Sequence, residues 1–177
     1  TRPPRSISWV ESDHAGELAV VSAWFAALLP WSVSFATNEG VSLITVRFPV
    51  GMFQFLFGAD LNVDLFVPVW AAPGLEGSNA ALQTGYYVWL AGALVVGVAF
   101  LLSLVYYSRE ATVERRLPVS PVRVMGGLLT LGGGCLLISA VRIFQSAPGV
   151  TIPVGAVLVP LLGVTLLGTH TRPDGQG

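Results

Sequence analysis

Residues 86–107 read YYVWLAGALVVGVAFLLSLVYY, a run with tyrosine pairs at both ends and no charged side chain between them. At about 1.5 Å per residue, a helix of that length covers the ~30 Å hydrocarbon core of a bilayer. Tyr and Trp suit the two membrane–water boundaries, because each ring is apolar and carries one polar atom. The run therefore predicts a transmembrane helix. Lipid offers no hydrogen-bond partner to the backbone, and a helix supplies its own.

Three further apolar stretches lie around it. LAVVSAWFAALLPWSVSFA occupies 18–36, and others occupy about 122–144 and 152–168, the last with Pro160 expected to kink it. Hydrophobic residues make up 53% of the 177-residue chain and charged residues 11%, against about 25% charged in a soluble domain. The fold expected is an all-α membrane protein of four transmembrane helices, at about 9–36, 84–108, 121–145 and 151–168. It forms a single membrane domain over 1–177, with a small extracellular cap containing a β-hairpin inserted at 37–83.

The 18–36 run is not read as a cleaved signal peptide. Glu11, Asp13 and Glu17 precede it where a basic region is needed, and Pro30 interrupts it. Orientation follows from the basic residues, all of them Arg. Arg2 and Arg5, then Arg109, Arg115, Arg116 and Arg123, then Arg172 fall on one side of the expected spans, leaving Arg47 and Arg142 on the other. Basic residues in short loops stay in the cytoplasm, so a multi-pass cell-membrane protein with both termini cytoplasmic is expected. Ser8 and Glu11 have capping-box spacing and set a helix start before the membrane, with Trp9 at its surface.

In the cap, VSLITVRF at 41–48 and MFQFLF at 52–57 flank Pro49-Val50-Gly51 and read as a hairpin. Alternation over 61–69 fits a third strand; the alternative is a short interfacial helix over 63–72.

Helix packing supplies the candidate sites. Gly126, Thr130 and Gly134 recur every four residues, a groove where another backbone can come close; Ala93, Gly97, Gly155 and Gly163 offer matching surfaces. The groove serves either packing inside the bundle or an interface with a partner subunit. Arg47 and Arg142 are candidates for an outer ion pair with Asp60, Asp64 or Glu39. His14 and Glu17 share a helix face but are too few for a structural metal site. Ser22, Ser103, Thr130, Ser139 and Thr165 are expected to bond carbonyls one turn back. With no acidic residue in any span, proton-coupled transport is disfavoured. Cys135 stands alone, and no nucleophile motif, phosphate loop or HExxH pattern occurs. No catalytic residue, cofactor or metal is therefore expected. A net charge of −1 without a basic patch excludes nucleic acid as a partner.

The segments Glu17-Leu18-Ala19-Val20-Val21-Ser22-Ala23-Trp24, Leu29-Pro30-Trp31, Val46-Arg47-Phe48-Pro49 and Tyr86-Tyr87-Val88-Trp89 resemble a group of uncharacterised multipass membrane proteins of halophilic archaea. The absence of lysine is compatible with that resemblance, which spans most of the chain. It implies the archaeal cell membrane and carries over no functional residue. The expected function is a non-enzymatic structural or accessory subunit. Its partners are the lipid bilayer and either other membrane subunits or a second copy of the chain. Alternatives are a small transporter or channel, and an extracytoplasmic sensing or binding module with a pocket among Phe48, Phe53, Phe55 and Trp70.

Overall fold

A computed structural model describes residues 14–59, 64–75, 79–116 and 119–168, without the side chains of 110–116. The expected capping box at Ser8 and Glu11, Trp9, Asp60, and the terminal residues Arg2, Arg5, His170 and Arg172 lie outside these residues.

The fold is mixed α/β, which corrects the all-α, four-span expectation. Among the described residues four helices, α1 (Ala15–Leu28), α2 (Ala80–Arg116), α3 (Pro121–Ser146) and α4 (Val154–Gly168), accompany five strands. The strands are β1 (Ser32–Asn38), β2 (Val41–Phe48), β3 (Gly51–Phe57), β4 (Phe66–Pro68) and β5 (Val150–Ile152), forming one antiparallel sheet in the order β4-β3-β2-β1-β5.

The correction has a local cause. Leu29 precedes Pro30, whose ring disfavours helical backbone in the residue before it, and Leu29 is extended (φ −75°, ψ 134°). The chain leaves the helix there, and SVSFATN continues as a strand. At the other end Val150-Thr151-Ile152, two of its three residues bulky and all β-branched, pair with β1 before α4 begins. What remains helical is 14 residues in α1 and 15 in α4. These are roughly 21 and 22 Å long, short of the ~30 Å core. Among the described residues only α2, through Arg109, and α3 are long and apolar enough to cross a membrane. In α2 the helical path breaks at Arg109 (φ −146°, ψ 48°).

The 41–57 hairpin forms as β2 and β3, with Phe48 opposite Gly51. Glu39 (φ 48°) and Gly40 (φ 84°) close the β1–β2 turn in the left-handed region, as a two-residue hairpin turn with both central φ positive requires. Residues 66–68 pair with β3, and a 3₁₀ turn at Ala72–Gly74 leads on towards α2.

α3 is central, packed against α2 on one flank and α4 on the other. Val96, Met125, Leu129, Leu136, Val159 and Leu166 are buried between them. The sheet joins the end where α1 and α3 finish and α2 and α4 start. Trp31 N–H donates to the Arg47 carbonyl (2.8 Å), and Ala156 N–H on α4 donates to the Trp31 carbonyl (3.0 Å).

Candidate functional site

Strand alternation gives the sheet two chemically distinct faces, arranged in an uncommon way. A half-buried antiparallel sheet normally turns its apolar face to the core. Here the inner side carries Ser32 and Ser34 on β1, Thr45 and Arg47 on β2, Gln54 on β3 and Thr151 on β5, in register with the apolar Ala36, Leu43, Met52, Leu56 and Val67. Ser32, Thr45, Arg47 and Met52 are buried. The other face carries Phe35, Phe55, Phe57, Phe66, Val150 and Ile152, all exposed. Phe53 stands there with Phe48 on one side and Phe66 on the other, ring centroids 5.9 and 5.0 Å apart.

Arg47 is the centre of the inner face. Its side chain is 4% exposed, and its Nη1 donates to Ser34 Oγ (2.5 Å), which shares a second bond with Thr151 Oγ1 (2.8 Å). The Tyr86 hydroxyl, on the second turn of α2, is its other hydrogen-bonding neighbour. Burial lowers the Arg47 pKa from its usual value, and Tyr86 acts in the opposite direction. A guanidinium nonetheless stays charged at neutral pH.

Among the described residues three polar side-chain atoms are buried without a partner: Arg47 Nε, Ser32 Oγ and Trp89 Nε1. Ser32 lies opposite Arg47 in the β1–β2 register. Trp89 stacks obliquely on Trp31 (5.5 Å) and on Tyr86 (6.1 Å). Guanidinium and indole are donors only, so the cluster can hold an electron-rich group but has no base to take a proton.

The expected outer pair is not brought together. Arg47 points beneath the sheet, whereas Arg142 is exposed on α3 with its Cβ facing Gly85. Among the described residues neither is within ion-pair distance of an acid, and Glu39 and Asp64 are exposed. His14 and Glu17 approach to 3.7 Å in the open. The four aromatics proposed as a sensor pocket are split: Phe48, Phe53 and Phe55 sit on the outer sheet face, and Trp70 is exposed in the turn after β4. An open apolar groove instead follows α1, lined by Val21, Trp24, Phe25, Leu28, Leu29 and Pro30.

The small residues divide by surroundings. Gly126 and Thr130 on α3 meet Gly163 on α4; a Cβ on Gly163 would stand 2.8 Å from the Gly126 carbonyl oxygen. Gly155 lies under Pro30 and Trp31, where a Cβ would come within 2.6 Å of the Pro30 carbonyl oxygen. Ala93 packs against the core. Gly97 and Gly134 face open space. Two close approaches were not paired from sequence: Gly92 against Gly132 between α2 and α3, and Gly133 against Pro160. Thr130, Thr165 and Ser103 bond carbonyls three or four residues back, but Ser139 reaches across to the Gly85 carbonyl of α2 (2.7 Å).

The burial of Arg47 was missed, although a signal existed. Thr45 and Arg47 alternate with apolar residues as strand neighbours, and Ser32 and Ser34 repeat that spacing on β1.

A model described as a family of unknown function, DUF7549, matches residues 8–171. The chain belongs to that family. No curated protein matches it.

Proposed function

We propose that this protein is a non-enzymatic accessory subunit of the archaeal cell membrane, held in lipid by α2 and α3. The supporting observation is where their apolar side chains point. Only 28% of the most apolar window of α2 and 44% of that of α3 is buried, whereas the core helix of a soluble protein is mostly buried. Leu94, Val98, Leu101 and Val105 on α2, with Leu131, Ile138 and Val141 on α3, are exposed. Water would leave these surfaces uncovered at about 25 cal/mol per Å², and lipid removes that cost.

The start of α1 lies beside Tyr106 and the end of α4 beside Gly126, at the same end as the α2–α3 connection and opposite the sheet. That end carries Arg109 and Arg123. With those arginines retained inside, the α1 start and α4 end face the cytoplasm and the sheet faces out.

The accessory role rests on the outer sheet face. An exposed apolar patch of this kind marks a protein or membrane contact. Hydrocarbon is a poor cover for it, because β4 and β5 are open edges whose backbone groups lipid cannot satisfy. The occupant that satisfies both conditions is a second membrane-protein chain. The test is the mass of the complex extracted in mild detergent, corrected for bound detergent. The natural protein is expected above the 18.7 kDa of one chain, and Phe55→Asp is expected to return it to a monomer that is still retained in membranes. A natural protein that is already a monomer overturns the subunit reading.

A further inference from the structure

We propose that the Arg47 cluster binds a small monovalent anion of the chloride type, enclosed between the sheet and the first turns of α2. The case rests on the sheet geometry and not on the membrane reading.

Charge is the first ground. A guanidinium at 4% exposure is rarely left without a counter-charge, because an isolated buried ion loses far more hydration than two neutral hydrogen bonds restore. The acidic side chains among the described residues, Glu17, Glu39 and Asp64, are all exposed. One negative charge at the site balances Arg47.

The orphaned atoms are the second ground. Arg47 Nε and Trp89 Nε1 are N–H donors with no acceptor, and the hydroxyl of Ser32, opposite Arg47 in register, is unpaired too. A water molecule there can accept from these donors but brings no negative charge to set against Arg47. A halide accepts from every direction and donates nothing, which fits this set. Size is the third ground. Arg47, Ser32 and Trp89 are all buried, so an ion bound there is a small diffusible one and not a group carried on a large molecule.

The experiment uses the full chain in detergent at fixed ionic strength, with sodium chloride exchanged for sodium gluconate, whose anion is far bulkier than chloride. The natural protein is expected to lose several degrees of melting temperature without chloride, and Arg47→Met to lose none. Trp89→Phe keeps the ring and removes one donor, and is expected to at least halve the loss even if Arg47→Met fails to fold. In crystals grown with bromide, an anomalous peak is expected beside Arg47 Nε and Trp89 Nε1. Equal chloride sensitivity in the natural protein and Trp89→Phe overturns the proposal, as does a melting temperature indifferent to chloride. So does a site holding water with no bromide signal.

Discussion

Gly163→Ala probes the closest approach of α4 to the middle of α3. A Cβ built on Gly163 meets the backbone N and hydroxyl of Thr130 and comes to 2.8 Å from the Gly126 carbonyl oxygen. Ordinary contacts of this kind begin at 3.4 Å, so the shortfall is 0.6 Å, and its far side is backbone that cannot rotate away. α4 must move off α3, loosening Leu166 against Gly126. Overpacking of this sort costs about 1–3 kcal/mol. For a chain of this length each kcal/mol moves Tm by roughly 2–4 °C, giving a loss of about 4–8 °C at the middle of that range. Gly97→Ala is the control: its Cβ enters open space, and alanine favours the helix over glycine by about 0.5–1 kcal/mol. The assay is thermal unfolding in detergent followed by Trp fluorescence. Equal stability of Gly163→Ala and the natural protein, or a larger loss in Gly97→Ala, refutes the reasoning.

Further expectations follow from other contacts. Trp24→Phe keeps its ring against Phe100 and Tyr107 but loses the bond from Nε1 to Ser103 Oγ (3.1 Å), so about 0.5–1.5 kcal/mol is expected; a change in Tm too small to detect removes that bond from the account. Gly149 has φ +97° and a Cβ there abuts the Phe35 carbonyl, so Gly149→Ala is expected to cost about 1–2 kcal/mol from backbone strain alone. Hydrogen exchange should then speed up at the β1–β5 pairs and not in β3, and uniform exchange contradicts this. Leu101→Arg places a charge on the exposed face of α2. In lipid it costs about 2.5–3.5 kcal/mol of insertion, whereas on a water-facing helix it stays within about 0.5 kcal/mol. An insertion assay that cannot tell Leu101→Arg from the natural segment contradicts a lipid-facing α2.

α2, α3 and the β2–β3 hairpin were legible in the sequence because each is locally decided. Long unbroken apolar runs make the first two, and β-branched residues on either side of Pro49-Val50-Gly51 make the third. The 18–36 run was not legible as a whole. Hydropathy sums Leu18 and Phe35 alike, and it does not register that Pro30 ends the helix and frees Ser32–Asn38 for pairing with β2 and β5. β5 depends on a partner 117 residues away at Ser34–Thr151, which no local pattern contains. The sequence alone makes Arg47 an outer charge, because arginine in a segment outside the spans is ordinarily solvated. Its burial follows from strand register, which turns the polar side of β2 inward and the phenylalanines of β3 outward. Among the small residues, spacing alone could not separate Gly126, which meets α4, from Gly134, which meets nothing.

The central claim is that lipid covers the outward faces of α2 and α3. Spin labels at Leu94, Leu101, Leu131 and Ile138, read in reconstituted vesicles by collision with oxygen and with a water-soluble nickel chelate, test it most directly. Higher accessibility to oxygen than to nickel at all four positions is expected, most of all at Leu101 and Leu131. Higher accessibility to nickel at these positions contradicts the account.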